Sequence, residues 1–408
     1  MTRTALSVGT LLLAIFMIMA GSGFLATLIS LRLEAAGLPA VLIGLVATAY
    51  FAGLTIGSVF AFKVVAQVGH IRAFAAFVSL YSATSLSYAI QLDPVFWSLL
   101  RLTDGFCMAG VFVCLESWLN ERAESETRGS ILAFYMIALY SGQAVGQFLL
   151  NLGHTWPSMP FIAASILLSL AVLPIALTRL VAPAPPEGRL MPLKQLFGTS
   201  PLGAVGVATT GLMLGAFYGL GAVFARGMGL SDSDTALFMS ATILGGVALQ
   251  WPLGRLSDII DRRTVIVAGF VVTAGISLLT ALTVTHWYTM MLAGAWFGGV
   301  SFALYPLCVA HTNDHLRSGQ RVGATGALVL LYSLGAAAGP LPAAALMDAC
   351  GPQGLFLFIC LCAVIMLVFA LIRVWLSPPV PGERQRPYLL LPRTTPVAAQ
   401  LDPLSPEN

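Results

Sequence analysis

The stretch RLTDGFCMAGVFVCLESWLNER, residues 101–122, places Arg101, Asp104 and Glu116 in an otherwise apolar run. A spacing of three puts Arg101 and Asp104 on one face of a helix, where they can pair. In hydrocarbon a charged side chain costs about 2.5–3.5 kcal/mol by insertion scales, so charges kept there usually mark a pathway. Two readings follow. In one, Arg101 meets an anionic group and Asp104 exchanges protons; in the other, the two form a structural ion pair near one membrane surface. Glu116 lies twelve residues past Asp104, about 18 Å along a helix axis at 1.5 Å per residue. It therefore belongs near the other end of the helix, as a gate or as a staple of the adjoining loops to Arg72 or Arg128.

Other polar groups in apolar runs extend the candidate pathway. Gln143 and Gln147 are four apart on one face, followed by Asn151, and serve as interhelical glue or as cavity lining. Tyr218, Gln250, Trp251 and Tyr305 are further candidates for a cavity wall, each against the plainer reading of packing. The string QWPLGRLSDIIDRR, residues 250–263, ends a predicted helix and turns tightly into the next. Gly254 lets that helix end pack closely, Asp258 suits a neighbouring helix N-terminus, and Arg262 and Arg263 can bridge carboxylates or lipid headgroups. The plain alternative is a basic turn facing the cytoplasm.

The remaining chemistry is sparse. Six cysteines occur, none in a CxxC spacing, and they read as small core hydrophobes. His154 and His286 fall at predicted helix ends and His70, His311 and His315 on predicted loops, where surface placement is expected and no metal-binding spacing appears. No GxSxG, HExxH or paired-carboxylate constellation lies within a predicted span, and no Walker A string is present. Neither an enzyme nor an ATP-driven pump is expected, and no cofactor or metal.

These residues need elements to hold them, and composition decides which. The chain has 408 residues, 58% hydrophobic and only 9% charged, where a soluble protein of this size carries about 25% charged residues. Apolar runs long enough to cross a bilayer recur from end to end. Their breaks predict an all-α polytopic membrane protein with twelve spans at about 8–31, 41–64, 72–91, 95–119, 130–152, 158–178, 202–224, 235–257, 264–284, 287–310, 322–347 and 353–376. The start could pass for a signal peptide, but its apolar character continues to Leu31, so it reads as the first span. The polar, Pro-rich segment 179–201 is a predicted linker between an N-terminal bundle, 1–178, and a C-terminal bundle, 202–376. The tail, 377–408, carries eight prolines and is expected to be disordered and cytoplasmic.

Seventeen of the twenty Lys and Arg residues fall on alternate loops and ends, against Arg32 and Arg226 on the opposite set. By the positive-inside rule this puts both termini in the cytoplasm. No basic cluster with interleaved aromatics supports nucleic-acid binding. A shift of 192 residues lays 37–53 on 229–245, 62–72 on 254–264, and LYSGQAVGQ (139–147) on LYSLGAAAG (331–339). Two same-direction six-helix repeats are a common transporter plan, with the substrate site between them near the midplane.

GRLSDIIDRR (254–263) resembles the loop signature of the major facilitator superfamily, G-x-L-x-D-R-x-G-R-R, with Asp261 in place of the second Gly. The first-half copy keeps Gly69 and Arg72 but has Phe62 and Ala66 where Gly and Asp stand in the signature. RLTDG resembles the fourth-span pattern, and the string from Glu116 to Gln147, joined to QWPLGRLSD, is similar to the YcaD-like branch of that superfamily, over about residues 6–376. The resemblance implies two pseudo-symmetric six-helix bundles, a cytoplasmic latch involving Gly69, Arg72, Arg128, Gly254, Asp258, Arg262 and Arg263, and a carboxylate, here Glu116, beside it. It lacks the fifth-span Gly-Pro of drug/proton antiporters. The expectation is a monomeric secondary transporter of a bacterial inner membrane, moving a small molecule with protons by alternating access. The alternative is a membrane receptor or assembly protein that binds a partner through the tail or inner loops.

Overall fold

The computed structural model describes residues 2–123, 127–154, 156–178, 183, 190–283, 286–316, 318–376, 385, 387–389, 392–395 and 397. Its described residues form helices and connecting turns, with no strand among them. Among the described residues eleven helices are long and apolar enough to cross a membrane: α1 Val8–Ala35, α2 Ala40–Val68, α4 Pro94–Arg122, α5 Arg128–Gly153, α6 Met159–Ala176, α7 Pro201–Gly227, α8 Asp232–Ile259, α9 Arg262–Thr283, α10 Trp287–Asn313, α11 Arg321–Cys350 and α12 Gly354–Leu376. The helix His70–Ser87, here α3, stands where the third span is expected. It carries four serines with His70 and Arg72 in its first turn, and it packs against α4 and α6.

Local sequence explains where these helices begin and bend. Asp93 caps α4 by accepting from the Phe96 N–H at 2.7 Å, with Pro94 in the first turn, where a missing N–H costs nothing. Ser231 caps α8 through the Asp234 N–H at 3.1 Å. α1 is interrupted at Gly23 between Thr2–Ser22 and Leu25–Ala35, and α11 at Gly339-Pro340. α5 tightens into a 3-10 helix from Gln147.

The packing repeats itself. In the first bundle α2 packs along α4, α1 along α5 and α6, and α3 along α4 and α6; in the second, α8 packs along α10, α7 along α11 and α12, and α9 along α10 and α12. Each pair maps onto its counterpart six helices later. Between bundles, α2 meets α11 as α8 meets α5, and α1 meets α7. Lipid supplies no hydrophobic drive between helices, so small residues set how closely backbones approach. A Cβ at Gly53 of α2 would run into the Leu102 carbonyl of α4, and one at Gly298 of α10 into the Thr242 carbonyl of α8. These are the matching seams of the two halves.

The molecule has two ends. The linker end carries the α2–α3, α4–α5 and α8–α9 turns and a short helix, Leu193–Thr199, whose preceding Met191 N–H donates to the Gly323 carbonyl at 3.0 Å. Most of the predicted linker before it lies outside the described residues. The distal end carries the α1–α2, α7–α8 and α11–α12 turns. Hydrogen bonds that join the bundles gather in the distal half. Asp348 of α11 accepts from the first N–H groups of α2, Ala40 at 2.9 Å and Val41 at 3.2 Å. Ser30 donates to Gly219 O at 2.7 Å, Thr48 to Ala337 O at 3.0 Å and Ser233 to Asn151 at 2.9 Å.

Candidate functional site

On α4, Arg101 and Asp104 do pair, at 3.8 Å, and both are buried. Asp104 also accepts from the hydroxyls of Thr84, on α3, and Tyr88, just past it, the latter at 2.6 Å. The Arg101 guanidinium lies 4.1 Å above the Tyr50 ring of α2. A buried charge persists only when paired and hydrogen-bonded, and three helices converge to meet that condition here. Arg101 thus spends its charge on Asp104 and on an aromatic face.

Beside this cluster lies a cavity of about 130 Å³ between the bundles. Arg101, Tyr50, Tyr140, Gln143, Tyr218 and Tyr332 line it, so α2, α4 and α5 face α7 and α11 across it. Asp104 sits behind Arg101 and reaches the cavity only through it.

The cavity is also lined by α1 and by the chain's own tail, through Pro392, Arg393 and Thr394. Residues 377–384 and 398–408 lie outside the described residues, but those described between Gln385 and Val397 are held in place, which corrects the expected disorder for that stretch. Arg393 donates to the Tyr218 hydroxyl at 3.0 Å. Its guanidinium lies 4.6 Å from the Phe302 ring centre, 5.4 Å from Tyr332 and 5.6 Å from Tyr218. Such contacts contribute about 0.5–2 kcal/mol each, more when dry. Thr394 and Thr395 donate to the two carboxylate oxygens of buried Glu116, which also accepts from Tyr135 at 2.8 Å. The Tyr388 N–H donates to Asp258 at 2.8 Å, and its ring lies against Gly254. The tail therefore grips the first bundle at Glu116 and the second at the aromatic cluster and the α8 end. Composition marked this tail as solvated because its partners are assembled only by the fold.

Around the α8–α9 turn, Arg262 bridges Asp314 of α10 at 2.6 Å and Asp258 at 3.0 Å, with Ser257 at 3.4 Å. The expected partner of Asp258, a neighbouring helix N-terminus, is replaced by Arg262 and the tail. Arg263 pairs with Asp261 at 2.7 Å. Burial pushes the Asp261 carboxyl up, but the hydrogen bonds and charge of Arg263 outweigh it and hold the group below its ordinary value. In the first-half copy Gly69 adopts φ +85° in the turn between α2 and α3, a conformation that favours glycine. Arg72 is exposed and makes no ion pair among the described residues, while Arg128 donates to the Ala123 carbonyl at 3.4 Å. Glu116 instead shows Tyr135 and the tail threonines as partners that its sequence position did not indicate.

Of the other expected wall residues, Gln143 and Tyr218 line the cavity. Gln147 is glue: it donates to Gly23 O at 3.1 Å, at the α1 break. Gln250 is buried and donates to Phe302 O at 3.2 Å, supporting the aromatic cluster from behind. Tyr305 packs edge-on against Tyr332 at 5.3 Å, one layer back from the cavity. Trp251 is 63% exposed on the outer face of α8, with Arg255 over its ring, so it is not a cavity residue. Adjacent helix positions point about 100° apart, so Gln250 and Trp251 do not share a face. His70 and His311 are buried rather than on the surface, beside Trp118 and His315 respectively. The residues that sequence reading passed over are Tyr50, Thr84, Tyr88, Phe302 and Tyr332. Aromatic and hydroxyl residues in apolar spans look like packing until the fold aims them at one point.

Two six-helix repeats around a polar, aromatic-lined cavity define a helical membrane transporter fold. The sequence matches the profile of the Major Facilitator Superfamily over residues 11–246 and again over 203–389, and the chain belongs to that superfamily. It is 29% identical over 364 residues to a protein of Salmonella typhi named "Uncharacterized MFS-type transporter YcaD", covering 87% of this chain and 92% of that one. The Salmonella typhimurium protein of the same name is 29% identical over 357 residues, or 85% and 90%. Among solved structures the fold is similar to the nucleoside transporter NupG, with TM-score 0.74 at 14% identity over 90% of this chain and 98% of that one. It is also similar to a bacterial homolog of the human lysosomal transporter Spinster in an inward-facing and occupied conformation, with TM-score 0.71 at 15% identity over 95% and 98%. The chain is an integral membrane protein of a transporter family.

Proposed function

We propose that this protein is a secondary active transporter that moves a small molecule across a bacterial cytoplasmic membrane by alternating access, coupled to protons, as a monomer. The linker end, and with it both termini, faces the cytoplasm. The Lys and Arg asymmetry supports that orientation, and neither a cofactor nor an enzymatic step is part of the reading. What carries it is the cavity between the two repeats, with Arg101 in its wall and its buried partner Asp104 behind, since an intramembrane charge pair at a repeat interface marks a pathway for substrate and coupling ion.

In this scheme the distal-end hydrogen bonds keep the outer face closed. Protonation of Asp104 removes the charge that holds Arg101 and frees its guanidinium to swing into the cavity, so proton uptake changes the wall the substrate meets. Arg262, holding the ends of α8 and α10 together, moves the second bundle's inner end as one piece. Glu116 and Asp258 mark the inner ends of α4 and α8 at the cytoplasmic gate, and the latch residues Gly69, Arg72, Arg128, Gly254 and Arg263 shape the turns around them.

The test is a thermal-shift screen of the purified protein against small metabolites and drugs at acidic and neutral pH. A ligand at 100 times its dissociation constant stabilises by about 2.7 kcal/mol. Hits that disappear in Arg101→Ala support a site on α4, and hits indifferent to it contradict that placement. Coupled uptake of such a hit by proteoliposomes is expected to collapse in Asp104→Asn; uptake unchanged in the double Asp104→Asn, Glu116→Gln variant would remove proton coupling from the account.

A further inference from the structure

We infer that the aromatic box of Tyr218, Phe302 and Tyr332, beside Glu116, binds the cationic head of a small organic molecule, and that Arg393 of the tail occupies it as a tethered competitor. The inference rests on the transporter reading above and adds the substrate's chemical class to it.

The box is built for a delocalised cation. Three ring faces from α7, α10 and α11 converge on one guanidinium, and the Tyr218 hydroxyl accepts from its edge. Arg393 makes no ion pair among the described residues, and its Nη1 is buried without a hydrogen-bond partner. Three ring faces and one hydroxyl therefore hold the cation without a carboxylate, a mode that selects charge sign and flatness. A buried guanidinium left partly unsatisfied is a poor permanent anchor. It suits an occupant that leaves.

The neighbouring residues extend the mimicry. Thr394 and Thr395 present hydroxyls to Glu116 about one residue's length from the box, so a fitting ligand carries a flat amidinium- or guanidinium-like cation and a hydrogen-bond donor beyond it. The tail also bridges the halves, from Glu116 of α4 to Asp258 of α8. While it is docked it lies between the inner ends of α4 and α8, so the same segment that fills the site also props open the inner gate. A ligand that displaces Arg393 would remove the wedge and permit closure.

The experiment measures binding of benzamidine, benzamide and benzoate to full-length wild type, Arg393→Ala and Arg393→Lys. These probes share a ring and differ in charge. A tethered competitor acts at an effective concentration of about millimolar, so benzamidine is expected to bind R393A about tenfold or more tightly than wild type, with R393K between the two. Benzamide and benzoate should show no such gain. Equal benzamidine affinity in wild type and R393A, absence of benzamidine binding to R393A, or the same gain for benzoate would each overturn the proposal. If R393A does not fold, Thr394→Ala with Thr395→Ala loosens the tail at Glu116 and serves the same comparison. None of these results depends on the bundles alternating, which distance measurements across the two ends test separately.

Discussion

At the residue scale the α4 cluster shows how a membrane interior accommodates charge. Arg101 and Asp104 were readable as a pair from their spacing alone, because i and i+3 positions must share a helix face. Thr84, Tyr88 and Tyr50, which complete the cluster, come from other helices and left no spacing signal. Removing one partner of a buried pair strands the other, typically at about 3–5 kcal/mol. Arg101→Ala is thus expected to lower the melting temperature markedly, with Arg101→Met/Asp104→Asn recovering most of the loss because Asn can still accept from Tyr88. A double variant no more stable than R101A would mean the pair carries no coupling. Asp261 adds a pH dependence of opposite consequence. Its carboxyl is held below the ordinary 3.8, largely through Arg263 once burial is overcome, so the stabilisation is fully present above that value and is lost as pH falls through the lowered one. Comparing melting of wild type and Asp261→Asn should show a difference at neutral pH that vanishes in acid; a difference that persists in acid would assign the effect to packing instead.

At the element scale the spans were legible because twenty apolar residues in a row have few alternatives. The internal 192-residue shift anticipated the matched seams α2–α4 and α8–α10. Which face of a helix meets lipid was less legible. A lipid-facing side chain and a core side chain are equally apolar, so Trp251 could not be told from a cavity residue by type. The seams make a sharp contrast. Gly53→Ala places a methyl against the Leu102 carbonyl, whereas Gly275 has nothing within 4 Å of its missing Cβ. Gly275→Ala is expected to be neutral or to stabilise by about 0.5–1 kcal/mol, and G53A to destabilise; thermal unfolding in detergent that ranks them the other way would refute the seam. In the α8–α10 clamp, Arg262→Lys keeps the charge but loses the fork that spans Asp258 and Asp314. R262K is expected to melt lower than wild type, and equal melting would show that a single contact suffices.

At the scale of the whole molecule, composition and repeats carried the reading to the fold and the family, then stopped at the tail. Proline-rich polar sequence reads as solvated unless a cavity is known to receive it, and that cavity exists only once α1, α2, α4, α5, α7 and α11 have met. The central claim is that the closed distal end and the tail-wedged linker end are one member of an alternating pair. It is tested by double electron–electron resonance on spin labels placed in pairs, Arg72 with Arg255 across the linker end and Gln91 with Trp287 across the distal end. The background carries serine at Cys350, Cys360 and Cys362, the cysteines not fully buried. Wild type is expected to favour one distance at each end. Arg393→Ala at acidic pH should populate a second state in which the linker-end pair shortens and the distal pair lengthens. Distances that stay single and unchanged in every variant and at both pH values would contradict the account.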